Sequence, residues 1–596
     1  MYISRLFIRN FRNFEVLDVN LSAGPTSFVG ENNSGKSNLF HALRLVLDQS
    51  LPFYARTLDA RDFRTGVDLT YPNEVTISVE FSDWKENEKE SAFVSEWLVG
   101  GGTARLTYRF RPRKSAREAL ANDEFIPGEL NHADYVWELR GGGNTDPADL
   151  KWDKETGCSV RAGHLQAFHV TFLHPLRDVE RDLRGIRTSP LSRVLEVADI
   201  PESEQEALVE VLKTANEKVG QSPTLETIGT DLSSAFSHTT GPASSMGLRL
   251  GIAEPSFSTI ERALRVLLSD PFSTDFEPDR NGLGLNNVLY ISMLLHFFEK
   301  RVKDDGVAGQ LLLVEEPEAH LHPQLQRTLY DVLKDKPFQS FLTTHSTHVT
   351  SKAKLSSVVT LTRSPGAVLT ATSPTDSAGL NPREVADLER YLDATRSSLL
   401  FARSLILVEG PAEAFLLPPL IQAAMGVDVD REGISVVPIH GTHFASYVKL
   451  FGPDGIQKRC AVLGDKDLKP SDADVAPNPK RVEKLYGLQN AFVKVFLGET
   501  TFEREICIPS LLPAIHAASA ELGKKKVATL AKGLVESSAT EVDETFKNAV
   551  LSAAKSVGKA RFAQTLSKHV GGCNELPDYI RQAVDFARLS SVAGKL

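Results

Sequence analysis

The sequence has little cysteine, no long apolar run near its start and no excess of positive charge. Its four cysteines lie far apart, at positions 158, 460, 507 and 573, and this spacing argues against disulfides and against a structural zinc site. The N-terminal residues carry an arginine every few positions and hold no continuous apolar segment. We therefore expect neither a signal peptide nor a membrane anchor, and we predict a cytoplasmic protein.

The formal net charge of −10 at first argues against a nucleic-acid partner. Carboxylates that bind divalent cations lower this total, however, and they do not repel DNA once the cations are bound. The net charge therefore leaves a DNA partner open. With 41% hydrophobic and 24% charged residues, the chain of 596 residues has the composition of an ordinary globular protein of about three to five domains.

A glycine-rich loop near the N-terminus predicts a nucleotide site. Residues 30–37 read GENNSGKS, which is the GxxxxGK[ST] spacing, between an apolar strand and a segment of helical periodicity. In such a loop the backbone wraps the phosphates, the lysine reaches the terminal phosphates and the following hydroxyl completes a magnesium shell. We predict that the loop binds ATP with one Mg²⁺. The predicted nucleotide ligands are Gly30, Asn33, Gly35, Lys36, Ser37 and Asn38.

An apolar strand far downstream ends in two acids. Residues 311–314 are aliphatic, and Glu315 and Glu316 follow them directly. We predict that Glu315 joins Ser37 as a magnesium ligand and that Glu316 binds near the nucleotide and polarises the attacking water. The next strand-like stretch ends at His345, which is predicted to sense the terminal phosphate.

A second glycine-rich turn, GLGLNN at residues 282–287, lies between the loop and the acids. In the order loop, turn, acids and histidine, the chain resembles ATP-binding-cassette (ABC) ATPases of the chromosome-maintenance (SMC) and RecF type. The resemblance implies an α/β ATPase fold in which the turn of one subunit closes over the nucleotide of another. It therefore implies a homodimer or a higher homo-oligomer.

A second group of acids follows in the C-terminal third. Residues 405–408 form another apolar strand that ends at Glu409, and Glu413 falls one turn into the next helix. Asp465 and Asp467 end a later apolar strand, and their i, i+2 spacing lets both reach a metal if the backbone turns there. Carboxylates from two neighbouring strand ends predict a site for two Mg²⁺ or Mn²⁺ ions, which would activate water and stabilise a leaving oxygen.

The EGPAE and DKD segments that carry these acids resemble the Toprim domain of topoisomerases, primases and recombination nucleases. Together with the ATPase segments and with GKARFA at residues 558–563, they resemble the OLD (overcoming lysogenization defect) family of nucleases, in the branch that includes the Gabija anti-phage nuclease subunit. The resemblance implies that Glu503 is a further metal ligand and that Lys559 stabilises transition-state charge. Glu505 remains an alternative to Glu503, because the sequence does not decide which of the two points inward.

Changes of periodicity along the chain predict an α/β protein in four segments. Apolar residues at helical spacing from about residue 191 to residue 266 predict a helical insertion, which has two interpretations: subunit contact, or packing on its own chain. The predicted segments are an N-terminal part of the ABC ATPase domain at 1–188, the insertion at 189–268, the C-terminal part of the ATPase domain at 269–390 and a Toprim domain with helical additions at 391–596.

Three functional hypotheses follow. The leading one is a metal-dependent DNA endonuclease, nicking or cutting both strands, that is regulated by ATP binding or hydrolysis and serves phage defence or DNA processing. The alternative is a RecF-like DNA-repair ATPase whose Toprim module binds DNA without cutting it. A topoisomerase ranks last, because none of the tyrosines stands in a motif typical of an attacking tyrosine. The sequence leaves a UvrD-like helicase partner open.

Overall fold

The computed structural model describes residues 1–100, 102–122, 128, 130–174, 190–241, 246–248, 250, 254–301, 307–363, 369–377, 379–392, 396–441, 444–466 and 479–588. The chain divides into two compact units. The larger unit comprises Met1–Leu173, Ala308–Glu318 and Pro323–Leu596, and the smaller one comprises His174–Val307 and Ala319–His322.

The described strands all belong to the larger unit and form three sheets. They are β1 (Tyr2–Phe11), β2 (Phe14–Asn20), β3 (Pro25–Gly30), β4 (Val75–Ser82), β5 (Leu98–Val99), β6 (Thr103–Pro112), β7 (Tyr135–Gly141), β8 (Cys158–Ser159), β9 (Phe168–Leu173), β10 (Gly309–Glu315), β11 (Gln339–Thr344), β12 (Val358–Arg363), β13 (Leu369–Thr372), β14 (Ser404–Val408), β15 (Ile434–Pro438), β16 (Arg459–Asp465) and β17 (Val493–Gly498).

The α-helices occur in both units. They are α1 (Lys36–Leu47), α2 (Glu88–Val94), α3 (Lys114–Ala121), α4 (Pro190–Glu196), α5 (Glu202–Gly220), α6 (Pro223–Thr240), α7 (Phe257–Ala263), α8 (Leu283–Arg301), α9 (Pro323–Lys334), α10 (Thr347–Thr350), α11 (Pro374–Ser377), α12 (Pro382–Tyr391), α13 (Pro411–Met425), α14 (Phe444–Val448), α15 (Pro479–Tyr486), α16 (Phe502–Glu505), α17 (Leu512–Glu521), α18 (Lys525–Glu536), α19 (Glu544–Val557), α20 (Lys559–Ser567) and α21 (Asp578–Ala587).

The first sheet, the lobe sheet, has the strand order β2-β1-β4-β6-β7-β8, with β5 beside β6. Strand β4 pairs antiparallel with both β1 and β6, and its alternating apolar residues Val75, Ile77 and Val79 are fully buried. The sheet also buries charge: the Arg109 guanidinium donates to both carboxylate oxygens of Glu74. This pairing gives the buried guanidinium the partners it would otherwise find in water.

The second sheet, the central sheet, has the order β13-β12-β3-β11-β10-β9, and only its edge strand β13 is antiparallel. Its inner strands β12, β3, β11 and β10 are buried along almost their whole length, as expected for a parallel sheet with both faces covered. The carboxyl ends of parallel strands lie on one edge of a sheet. The glycine-rich loop after β3, the acids at the end of β10 and His345 after β11 therefore meet at the same edge.

The third sheet, the C-terminal sheet, is parallel throughout, in the order β15-β14-β16-β17. One apolar core joins the sheet to α13 and to the C-terminal helices, and a second core covers its other face. Helix α21 packs against β16 and β17. The strand ends that carry Glu409 and Asp465 are neighbours in this sheet, because β14 pairs with β16.

The smaller unit is helical where it is described. Helices α4 to α7 lie within the predicted insertion, which agrees with the prediction of helices there. Helix α5 buries none of its residues, and its Leu208 and Val211 side chains are 40% and 67% exposed. Among the described residues of the whole chain, no helix has both the length and the apolar character needed to cross a membrane.

Candidate functional site

The glycine-rich loop joins β3 to α1 in a conformation that two glycines make accessible. Gly35 has φ = 88° and directly precedes the first residue of α1, and this left-handed conformation favours glycine. A Cβ atom on Gly30 would stand 2.6 Å from the Leu361 carbonyl oxygen. Both positions therefore favour glycine, as the spacing of a phosphate-binding loop predicts.

Lys36 lies inside this cradle. Its Nζ donates to the carbonyl oxygens of Gly30, at 3.0 Å, and Glu31, at 2.8 Å. Burial lowers the pKa of Lys36 to about 8, while the charges of Glu316 and Glu318 oppose this shift. The two carbonyl oxygens thus hold the lysine side chain at the loop. The phosphate oxygens of a bound nucleotide can replace them as hydrogen-bond acceptors.

The two asparagines predicted as nucleotide ligands differ in their surroundings. Asn33 belongs to the loop and has φ = 65°. The side-chain amide of Asn38 instead donates to Asn13 Oδ1, at 2.7 Å, and accepts from Arg12 Nη1, at 2.9 Å. Asn38 therefore connects α1 to the turn between β1 and β2, and its contact with nucleotide stays a prediction. Sequence reasoning missed Arg12 and Asn13 because their partners lie more than twenty residues away.

The acids at the end of β10 lie beside the loop. Glu315 is buried, which raises its pKa, and a hydrogen bond with Ser37 partly offsets the shift. The two predicted magnesium ligands are therefore in contact. Glu316 has φ = 44°, and its Oε1 stands 3.9 Å from His345 Nε2. Burial, and then the charge of Lys36, lower the pKa of His345, so the structure brings these predicted residues together.

Glu318 is a residue of this site that sequence reasoning missed. Its Oε1 accepts the backbone N–H of His345, at 2.6 Å, and its Oε2 is buried without a hydrogen-bond partner among the described residues. Burial raises the pKa of Glu318. The carboxylate fixes the backbone of the predicted phosphate sensor. The sequence marks Glu318 only as the third acid of the EEPE segment at residues 315–318. Its hydrogen-bond partner follows another strand, so the sequence does not show the contact.

The glycine-rich turn at residues 282–287 opens α8 in the smaller unit. A Cβ atom on Gly284 would stand 2.5 Å from the His320 carbonyl oxygen, and the Asn287 amide donates to the Ala319 carbonyl at 3.1 Å. Leu283 and Leu285 are 48% and 53% exposed. The segment thus packs against residues 319–320 and exposes two leucine side chains. Its role across a subunit boundary stays a prediction.

The second group of acids lies at the carboxyl edge of the C-terminal sheet. Glu409 directly follows β14, and its Oε1 would stand 3.4 Å from a Cβ atom on Gly464. The Glu409 carboxylate therefore lies over the end of β16, where glycine leaves it room. Asp465 closes β16 and is 9% exposed, and its Oδ2 accepts the backbone N–H of Phe502 at 2.8 Å.

Glu413 and Glu503 complete this group with a lysine between them and the solvent. Burial raises the pKa of Glu413 to about 7, and the negative charges of Glu503 and Glu409 add to the shift. Glu503 is 3% exposed, and its Oε2 accepts from Lys559 Nζ at 2.9 Å. Burial lowers the pKa of Lys559, but the hydrogen bond with Glu503 and the charges of Glu503, Asp465 and Glu413 together raise it more, so the net shift is upward.

The chemistry of this donor set suits divalent cations. The carboxylates of Glu409, Glu413, Asp465 and Glu503 lie at one edge of the sheet, where Lys559 contacts Glu503, and oxygen-only ligands are typical of Mg²⁺ and Mn²⁺ sites. Among the described residues, no three His, Cys, Asp or Glu side chains already stand in an arrangement that holds a metal ion. Asp467 lies outside the described residues, so its predicted role as a ligand stays a prediction.

Glu505, the alternative to Glu503, faces a different partner. Its Oε1 accepts the backbone N–H of Thr500, at 2.8 Å, and also the Thr500 hydroxyl. Its Cγ stands 3.0 Å from the position of a Cβ atom on Gly498. Glu505 therefore ties down the loop after β17, whereas Glu503 lies with Glu413 and Lys559. The geometry favours Glu503 as the candidate ligand.

Comparisons with known proteins identify both halves of the chain. The family described as "Overcoming lysogenization defect protein-like, TOPRIM domain" matches residues 400–467, and the AAA ATPase domain family matches residues 1–131 and 196–350. The solved C-terminal region of the Burkholderia pseudomallei OLD protein is 30% identical, over 100% of that structure and 32% of this chain, with a TM-score of 0.27. The chain belongs to the OLD nuclease family.

Two relatives match this OLD-family chain over most of its length. Endonuclease GajA of Bacillus cereus (strain VD045) is 23% identical over 520 residues, which cover 85% of this chain and 81% of the relative. OLD nuclease of Thermus scotoductus (strain ATCC 700910 / SA-01) is 26% identical over 498 residues, which cover 81% of this chain and 84% of the relative.

Lys36→Ala tests the nucleotide site. We expect it to weaken ATP binding at least tenfold, because charge-assisted hydrogen bonds to phosphate are lost, while Glu316→Gln keeps ATP affinity close to wild type. Titration calorimetry with ATP and Mg²⁺ measures both. Lys532→Ala removes an exposed lysine on α18 and serves as the control. Wild-type ATP affinity in Lys36→Ala would contradict the assignment of the loop.

The glutamates at positions 503 and 505 provide a matched pair. We expect Glu503→Gln to weaken Mn²⁺ binding at least tenfold, because it removes a charge that faces the other acids. Glu505→Gln should leave Mn²⁺ affinity unchanged and lower the melting temperature instead, because it weakens the bonds to Thr500. Calorimetry and thermal unfolding distinguish the two. If Glu505→Gln lost the metal and Glu503→Gln kept it, the two assignments would be reversed.

Proposed function

We propose that this protein is a metal-dependent DNA endonuclease with a two-metal Toprim site, regulated by ATP at its ABC ATPase domain. It acts in the cytoplasm, in phage defence or DNA processing. The observation that carries this proposal is the group of four buried or half-buried carboxylates with Lys559 at one sheet edge. The names of the relatives, endonuclease and OLD nuclease, support the same reaction class.

The residues of the site have distinct tasks in this proposal. Bound Mg²⁺ or Mn²⁺ supplies Lewis-acid chemistry for water activation and for the leaving oxygen. Glu409 and Asp465 reach the ions from two paired strands, β14 and β16. Glu413 reaches them from the first turn of α13. Glu503 holds Lys559 at the rim of the group, where its ammonium can meet a DNA phosphate as negative charge builds up.

An ion pair between the nucleotide loop and the Toprim domain supports regulation by ATP. Arg403 Nε donates to Glu31 Oε2 at 2.9 Å, with the two side chains 59% and 36% exposed. Glu31 belongs to the glycine-rich loop, and Arg403 directly precedes β14, which leads to Glu409. An exposed ion pair adds little stability. The ion pair is therefore better placed to transmit a movement of the nucleotide loop than to stabilise the fold.

The surroundings of this ion pair support the same role. A cleft of about 410 Å³ opens beside it, with His345, Asp430 and Ser435 among its lining residues. A Cβ atom on Gly433 would stand 2.8 Å from Arg403 Cδ, so the glycine lets the arginine stem lie against the backbone. A change at the phosphate sensor or at the loop can therefore reach the base of β14 through packed groups.

Assembly into a homodimer or a higher homo-oligomer is part of the proposal. The exposed glycine-rich turn before α8 and the exposed apolar side chains of α5 support subunit contact. Magnesium bound by Ser37 and Glu315 serves the nucleotide, and a UvrD-like helicase partner stays a prediction. The alternative hypothesis is a RecF-like repair ATPase whose Toprim module binds DNA without cutting it.

Glu409→Ala and Asp465→Ala separate the endonuclease from the repair ATPase. With supercoiled plasmid and Mg²⁺ or Mn²⁺, we expect wild type to produce nicked or linear DNA and each variant to cut at least a hundredfold more slowly. ATP affinity should not change, because the nucleotide site lies on another sheet. Uncut plasmid with wild-type protein would favour the repair ATPase, and near-normal cutting by both variants would end the Toprim assignment.

Arg403→Ala tests the connection between the sites. We expect its cutting without nucleotide to stay within about twofold of wild type, whereas the change of cutting rate caused by ATP shrinks at least threefold, because a surface ion pair contributes little to stability. Arg403→Lys should keep part of the response. The control is Arg431→Ala, which removes an arginine that is 88% exposed and pairs within its own domain. An unchanged ATP response in Arg403→Ala would exclude this route.

A further inference from the structure

Helix α21 places a tyrosine at the edge of the C-terminal sheet that carries the acids. At the far end of the helix, the carbonyl oxygens of Phe586 and Arg588 accept from Arg459, the first residue of β16. At its near end, Tyr579 Cζ stands 3.2 Å from the position of a Cβ atom on Gly498, the last residue of β17. The helix therefore runs antiparallel to the strands and directs Tyr579 to their carboxyl ends.

The strand pairing defines which acid Tyr579 approaches. Gly498 is the register partner of Asp465 across β16 and β17. The tyrosine ring lies against this glycine, and a Cβ atom there would be in tight contact with the ring. The ring is thus packed at the level of the Asp465 carboxylate, beside the group formed with Glu413 and Glu503.

The Tyr579 hydroxyl is buried without a partner. Its oxygen is out of contact with solvent and meets no hydrogen-bond partner among the described residues. Thr501 Oγ1, in the loop after β17, is also buried without a hydrogen-bond partner among the described residues. A buried hydroxyl without a partner lowers stability, and a native structure that keeps one calls for an explanation. A phenylalanine would fill the same space without that cost.

The electrostatic surroundings make this hydroxyl a donor. Burial raises the pKa of Tyr579 well above its ordinary range, and the charge of Asp465 is the largest of the carboxylate contributions, ahead of Glu505 and Glu413. The phenol therefore keeps its proton.

We propose that Tyr579 is a positioning residue of the metal site, whose hydroxyl donates a hydrogen bond to the Asp465 carboxylate when that carboxylate turns to bind a divalent cation. The inference rests on the proposed nuclease function. In the resting structure Asp465 Oδ2 accepts from the Phe502 backbone. An aspartate that binds a cation through one oxygen presents the other oxygen to a neighbouring donor, and such outer partners orient the ligand.

Tyr579→Phe tests this role, because it removes the hydroxyl and keeps the ring. In metal-free protein we expect its melting temperature to equal or exceed that of wild type, since an unpaired hydroxyl is lost. Mn²⁺ affinity by calorimetry and the plasmid cutting rate should each fall at least tenfold, as is typical for the loss of a residue that orients a metal ligand. Tyr486→Phe, at a tyrosine that is 40% exposed on α15, is the matched control and should match wild type.

A double-mutant cycle shows whether Tyr579 acts through Asp465. In an Asp465→Asn background, Tyr579→Phe should change Mn²⁺ affinity by less than about twofold, because the acceptor has already been altered. An effect as large as in wild type would overturn the proposal. So would wild-type Mn²⁺ affinity and cutting in Tyr579→Phe, or a lower melting temperature of the metal-free variant. If wild type itself neither binds Mn²⁺ nor cuts DNA, the proposed function fails instead.

Discussion

The meeting of like charges at the ends of buried parallel strands is the constraint on which the rest of this structure depends. Glu409 and Asp465 end two paired strands, and Glu413 and Glu503 approach them from short helical turns. Burial raises the pKa of Glu413 to about 7, and repulsion by the charges of Glu503 and Glu409 adds to the shift. Lys559 offsets part of this charge, and bound cations would offset the remainder. The repulsion is consistent with the metal site that we propose.

The nucleotide site is built on the same principle at the edge of the central sheet. Strand β10 brings Glu315 to Ser37, and strand β11 brings His345 to Glu316. Here the positive charge is Lys36, which is held by carbonyl oxygens of its own loop. In both sites parallel strands deliver charged groups to one edge, and helices cover the sheet faces. The Glu31 and Arg403 side chains connect the nucleotide loop to the start of β14, at the end of that strand opposite to Glu409.

Much of this organisation follows from local patterns. The spacing of the glycine-rich loop predicts a strand, a loop and a helix, and these are β3, the loop and α1. The two apolar runs that end in acids predict buried strands, which are β10 and β14. Helical spacing predicts the helices of the insertion. Such patterns are readable because each depends on residues within a few positions of one another.

Other features depend on contacts between distant residues and could not be predicted in this way. The choice between Glu503 and Glu505 is an example, because both stand in one short helix and only their partners, Lys559 and Thr500, distinguish them. Glu318 and Tyr579 were missed for the same reason. Their significance comes from the His345 backbone and from the level of Asp465 in the sheet.

The amino-acid sequence by itself determined the residue patterns of both candidate sites, the glycine-rich loop and the acids that follow apolar strands, because each pattern consists of particular residue types at short spacing. It also determined that strands and helices alternate around them. Only the tertiary structure decided which carboxylates face one another, which hydroxyls are buried without partners and how the loop at Glu31 contacts the strand that leads to Glu409. Those choices depend on strand order and register, which bring together residues hundreds of positions apart.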